Sequence, residues 1–123
     1  FMRKGFIVIA IMGIISSCGQ RYISPGELDI ILHKNDIVIV DLRNEKKYAD
    51  GHIKGAVSAE YHEATFIRDI TTLDRKSEII LYCGEGIKSD KAASLMKEKG
   101  FKSIKILRGG YSSWVNAGFS TER

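Results

Sequence analysis

Cysteine is scarce in this chain, with two among 123 residues, Cys18 and Cys83. Two thiols allow at most one intramolecular disulfide. Proline occurs once beside twelve glycines, which fits an ordinary globular chain rather than a disordered one. Histidine occurs three times, at 33, 52 and 62, well separated from each other and from Cys83. That spacing holds no metal-ligand pattern, so neither a metal nor another cofactor is expected. Excess charge of one sign is small, +4 overall, and lysines alternate with acids through the second half. With no basic stripe and little aromatic interleaving, nucleic acid is not an expected partner. No apolar run reaches the ~20 residues that a membrane-spanning helix needs. Internal repeats and low-complexity segments are absent.

What is present begins with an amphiphilic N-terminal stretch. Met2-Arg3-Lys4 is a charged start, and Phe6 to Ile15 is apolar apart from Gly13. A charged flank, a short apolar core and small residues after it are the pattern of a secretory signal. Ile15-Ser16-Ser17-Cys18 resembles a bacterial lipobox. The resemblance implies cleavage before Cys18 and lipid on its thiol. Residues 1–17 are then a leader, 18–23 a tether and 24–123 the folded domain. The expected location is the bacterial cell envelope, periplasm-facing and lipid-anchored to a membrane. A lipidated Cys18 leaves Cys83 as the one thiol, so no disulfide forms and any redox cycle needs an outside partner.

Cys83 sits in a distinctive place. Ile79-Ile80-Leu81-Tyr82 is an apolar run that reads as a buried strand. Cys83-Gly84-Glu85-Gly86-Ile87-Lys88 follows as a glycine-containing loop, and Ser89 to Met96 reads as a helix with Ala92, Ala93, Leu95 and Met96 inward. A cysteine at the carboxyl end of a strand, on a loop that opens a helix, stands where open α/β sheets bind ligands. N–H groups at a helix start favour negative charge, of which a thiolate is one form.

The rest of the chain alternates strands and helices. Ser24-Pro25-Gly26-Glu27 has a cap, a proline at the first helical position and the glutamate of a capping box. Leu28, Ile31 and Leu32 share one face of the helix that follows. Ile37 to Val40 is a β-branched run suited to a strand buried on both faces. Glu45 to Ala49 reads as a short helix, 51–56 as a turn-rich link, and Val57 to Ala59 as a short strand. His62 to Leu73 has helical spacing with Ala64, Phe66, Ile67 and Ile70 inward. Ile104 to Leu107 is a further strand, Arg108-Gly109-Gly110 a turn, and Tyr111 to Ala117 a last helix with Trp114 inward. Residues 119–123 read as a tail. This order implies a mainly parallel central sheet with helices on both faces.

Four segments together resemble a single rhodanese-like sulfurtransferase domain. They are Ser24 to Leu28; Asp41-Leu42-Arg43 with Glu45, Tyr48 and 51–56; Ile80 to Ser89; and Leu107 to Trp114 with Ala117-Gly118. They span residues 24–118 in the family's order. The resemblance implies that Cys83 is a catalytic nucleophile that takes a sulfane sulfur from a small donor anion or a persulfide. A thiol or cyanide acceptor then removes it. Gly84, Glu85, Gly86, Ile87 and Lys88 are the expected substrate cradle, with loop N–H groups as donors. Asp41, Arg43 and Ser89 are expected to support the site structurally, Asp41 by accepting loop N–H bonds. Lys88 stands where the family often has arginine. Lysine keeps the charge but not the planar fork that grips an oxyanion, which weakens the case for thiosulfate as preferred donor. A phosphatase-type loop would place five residues between the cysteine and the cation, whereas here there are four. The alternative reading is a non-catalytic rhodanese-like module that binds a partner or senses redox state.

Overall fold

The computed structural model describes residues 21–34, 36–62 and 64–123. The leader and Cys18 readings lie outside them. Among the described residues, no helix is long and apolar enough to cross a membrane.

The β-branched run forms the strand β2, Ile37–Asp41, and the apolar run forms β5, Glu78–Tyr82. They pair in parallel from Ile37 opposite Glu78 to Asp41 opposite Tyr82. On the far side of β5 lies β6, Ser103–Leu107, and beyond it the short β1, Tyr22–Ile23. On the far side of β2 lies the edge strand β4, Val57–Ser58. The sheet order is therefore β1-β6-β5-β2-β4, with every pairing parallel. Such a sheet needs cover on both faces, and alternate side chains of β5 show it. Ile79 and Leu81 enter one core with Phe66, Ile70, Ala92, Ala93 and Met96. Ile80 and Tyr82 enter the other with Leu28, Ile53 and Trp114. All four β5 side chains are fully buried. At ~1.5–3 kcal/mol for each large apolar side chain removed from water, this strand is the anchor of both cores.

The helices follow from local chemistry. The helix α1, Pro25–Ile31, has both arms of its capping box: Glu27 N–H donates to Ser24 Oγ at 3.1 Å and Ser24 N–H to Glu27 Oε1 at 2.9 Å. The short α2, Glu45–Asp50, is capped by Asn44, whose Oδ1 accepts Lys47 N–H at 2.9 Å. After α3, Phe66–Ile70, come α4, Ile87–Glu98, and α5, Gly110–Asn116.

Four expectations need correction. Residues 22–23 are not tether: Ile106 N–H donates to Arg21 O and Arg108 N–H to Ile23 O, so the folded unit begins ahead of residue 24. The 51–56 link contains a strand, β3, His52–Ile53, and the 119–123 tail contains another, β7, Thr121–Glu122. These two pair antiparallel, His52 opposite Glu122. The tail is drawn in because Trp114 Nε1 donates to Ser120 O at 2.9 Å and Phe119 packs on the indole. The helix expected over 62–73 shrinks to α3. Thr65 makes no side-chain cap, and Thr71 and Thr72 turn their hydroxyls back onto the carbonyls of Arg68 and Asp69. That local bonding competes with helix continuation.

Candidate active site

Cys83 directly follows β5, and the sheet's register puts it beside the end of β2. Because Asp41 lies opposite Tyr82, the residues just past each strand, Arg43 and Cys83, come to the same rim. A cavity of about 480 Å³ opens there. Its walls come from three places: Arg43, Asn44 and Lys47 after β2; Cys83, Gly84, Glu85, Ile87 and Lys88 after β5; and Tyr111 and Ser112 of α5. Of the expected cradle, Gly84, Glu85, Ile87 and Lys88 thus line the cavity beside Cys83, whereas Gly86 does not.

The thiol itself is 3% exposed. Its sulfur accepts a hydrogen bond from Gly86 N–H at 3.0 Å and one from Ser89 Oγ at 3.4 Å. Among the described residues these are its hydrogen-bond partners, so the expected ring of loop donors is here one N–H and one hydroxyl. Gly86 reaches the sulfur because it is left-handed, φ +100°, as it caps α4, a conformation that glycine adopts without a Cβ penalty. Ser89 is fully buried, and the sulfur gives its hydroxyl a partner.

A second glycine locks the loop from outside. Gly110 begins α5 with φ +66°, and a Cβ there would lie 2.5 Å from Cys83 O and 2.8 Å from Gly84 O. The closeness lets Tyr111 N–H donate to Cys83 O at 2.7 Å and Ser112 N–H to Gly84 O at 3.1 Å. The amino end of α5 thus holds the carbonyls of Cys83 and Gly84, at the start of the loop whose Gly86 N–H meets the sulfur.

Asp41 and Arg43 build the wall behind the cavity. Arg43 meets Asp41 through Nε at 3.1 Å and Nη2 at 2.8 Å, and Nη2 also donates to Gly51 O at 2.6 Å. Its guanidinium lies 3.8 Å from the Tyr111 ring centroid, a stacked cation–π contact. Asp41 is fully buried and also accepts the Tyr82 hydroxyl at 2.6 Å, which in turn accepts Ile53 N–H at 3.2 Å. The expectation that Asp41 accepts active-loop N–H bonds is corrected: Arg43 and Tyr82 occupy its oxygens. Burial, then the bond to Asp41, pushes the Tyr82 phenol far above its usual range, so it stays a neutral donor. For Arg43, burial works against the charge, but the bonds and charge of Asp41 outweigh it and the guanidinium is held more firmly protonated.

Asn44 and Lys47 had no signal of their own in the sequence, and Tyr111 and Ser112 had only their place in the Leu107 to Trp114 segment. Asn44 shows a helix cap, Lys47 an ordinary exposed lysine, and Tyr111 reads as packing. Only the register of β2 against β5 and the Gly109-Gly110 turn bring them to Cys83. His52 stacks on Tyr48 with centroids 3.8 Å apart and lies away from the cavity, while His62 is exposed. Among the described residues no three His, Cys, Asp or Glu side chains converge as a metal site would require.

Comparison with known proteins agrees with this layout. The family model described as "Rhodanese-like domain" matches residues 24–117. The chain is 32% identical over 108 residues to the tRNA uridine(34) hydroxylase of Wigglesworthia glossinidia brevipalpis, covering 83% of this chain and 33% of that protein. It is 32% identical over 98 residues to the protein of the same name from Sinorhizobium fredii, covering 76% and 31%. The chain thus spans about a third of the length of these curated relatives. Among solved structures, thiosulfate sulfurtransferase from Pseudomonas aeruginosa superposes with a TM-score of 0.74 at 27% identity, over 84% of this chain and 19% of that one. The Alr3790 protein from Anabaena sp. gives 0.75 at 25% identity, over 81% of each chain.

Proposed function

The chain belongs to the rhodanese-like domain family, and from that premise we propose that it is a sulfurtransferase carrying sulfane sulfur on Cys83. The observation that carries this reading is the sulfur of Cys83 at the rim of the cavity, 3.0 Å from Gly86 N–H and 3.4 Å from Ser89 Oγ. Those two donors suit a sulfur anion before and after it gains a second sulfur.

The cycle has two displacements. The Cys83 thiolate attacks the outer sulfur of a donor; the new S–S bond forms as the donor's own S–S bond breaks. From thiosulfate the leaving group is sulfite, and from an organic persulfide it is a thiolate. A cyanide ion or thiolate then attacks the terminal sulfur of the Cys83 persulfide. Thiocyanate or a new persulfide departs, and the Cys83 thiolate returns. No outside oxidant or reductant is needed. Lys88 and Lys47 supply positive charge where anionic donors enter. The reaction in the hydroxylase relatives' name is not carried over, because the chain spans about a third of them.

Turnover with thiosulfate or a persulfide as donor and cyanide or a thiol as acceptor tests the reading. Product should form with the wild type and vanish in Cys83→Ser. Equal turnover by Cys83→Ser would overturn it. We further propose that lipid on Cys18 anchors the domain to a bacterial envelope membrane, facing the periplasm. The lipobox-like Ile15 to Cys18 supports this. Fatty-acid labelling of the expressed chain should be lost in Cys18→Ala, and an unlabelled wild type would contradict it.

A further inference from the structure

The cavity is larger than a compact inorganic donor requires, and its free cations stand on two separate elements. Three cations line it, Arg43, Lys47 and Lys88. Arg43 is neutralised by its two-armed bond to the buried Asp41. Lys47 and Lys88 are exposed, and among the described residues neither is in an ion pair. They stand on different elements, Lys47 on α2 after β2 and Lys88 on α4 after β5. Glu85 is the one carboxylate on the wall, so two free ammonium groups face one opposing charge. The volume of about 480 Å³ lies in the range of sites for organic ligands. A five-atom oxyanion, at ~30 Å³ for each water-sized atom, would occupy roughly a third of it.

Resting on the sulfurtransferase reading above, we propose that Lys47 is a specificity-determining residue and that the preferred donor is an organic persulfide bearing two or more separated carboxylates. The carboxylates pair with Lys47 and Lys88 while the terminal sulfur meets Cys83. The transfer balances: Cys83–S⁻ and R–S–SH give Cys83–S–SH and R–S⁻. Thiosulfate has a single compact anionic head, with no second group for Lys47.

The test loads the chain with three donors: glutathione persulfide, which carries two carboxylates; 2-hydroxyethyl persulfide, which carries none; and thiosulfate. Initial loading rates give kcat/KM for each. In Lys47→Gln, selectivity for glutathione persulfide over 2-hydroxyethyl persulfide should fall about two- to fivefold, the worth of one exposed ion pair. The loss should lie in KM, and Lys47→Arg should restore it. Selectivity for glutathione persulfide over thiosulfate should fall in parallel. Equal effects on all three donors, or none, would overturn the proposal while leaving the sulfurtransferase reading intact. Failure of every donor to load wild-type Cys83 would instead overturn that parent reading.

Discussion

Replacing Gly110 by alanine puts a methyl group into the space occupied by the backbone of the Cys83 loop. The added Cβ would stand 2.5 Å from Cys83 O, 2.8 Å from Gly84 O and 2.9 Å from Gly84 C. None of these atoms can rotate away as a side chain could. Two costs add. The left-handed backbone at φ +66° costs an L-residue about 1–2 kcal/mol. Relieving the overlap by moving backbone costs about 1–3 kcal/mol. The sum, about 2–5 kcal/mol, lowers Tm by at least about 8 °C in a domain of this size. Gly118→Ala is the control, since its φ of +85° imposes the same backbone cost but its Cβ would meet nothing within 4 Å. Thermal unfolding and the rate of sulfur loading on Cys83 are measured for both. Gly110→Ala should lose more stability than Gly118→Ala. It should also slow loading, because the displaced group carries Cys83. Gly118→Ala should load normally. If the two variants lose equal stability, or Gly110→Ala loads at the wild-type rate, α5 does not hold the loop as described.

The other predictions concern the wall, the sulfur and the C-terminal strand. Arg43→Met leaves Asp41 buried without its cation and should cost about 3–5 kcal/mol in urea unfolding. Arg43→Lys should cost less, since it keeps charge but loses the fork and the Tyr111 stack; a loss below about 1 kcal/mol for Arg43→Met would class the pair with exposed ones. Ser89→Ala removes the hydroxyl 3.4 Å from the sulfur and should slow loading about two- to tenfold, the worth of one hydrogen bond; an unchanged rate in stopped-flow loading would contradict this. Gly55 N–H, and then His52, hold the Glu122 carboxyl below the usual glutamate range. A carboxylate with a depressed folded-state pKa contributes stability that is complete above its ordinary 4.5 and is lost as pH falls through the lower folded value. On acidification, β7 should undock before the core melts, reported by fluorescence of Trp114, the one tryptophan. The early phase should be absent from Glu122→Gln, and its persistence there would exclude Glu122 as the cause.

The Cys83 segment was legible because three local signals coincide there: a four-residue apolar run, a glycine loop and a helix pattern. The parallel sheet was legible for a similar reason, since β2 and β5 are long enough to show β-branched or continuous apolar character. The two-residue strands β1, β3 and β7 are too short to show a period. Tertiary contacts form them, such as the bond from Trp114 to Ser120. The sequence expected Asp41 to meet loop N–H groups and Arg43 to meet acids; in the fold the two meet each other, and Tyr82 takes the rest of the carboxylate. The carboxylate's link to Tyr82 crosses between strands 41 residues apart in sequence, a distance over which no sequence pattern speaks. Lys47 was missed because an exposed lysine on a short helix looks the same whether or not a cavity opens beside it.

The central claim is that Cys83 carries the transferred sulfur. Wild-type and Cys83→Ser chains are incubated with glutathione persulfide and, separately, with thiosulfate, then freed of donor and measured by intact mass with peptide mapping. The account predicts one added sulfur, ~32 Da by the covalent route, located on the Cys83 peptide. Cyanide should remove it, and Cys83→Ser should never acquire it on that peptide. A wild-type Cys83 peptide that stays unmodified with both donors would contradict the account.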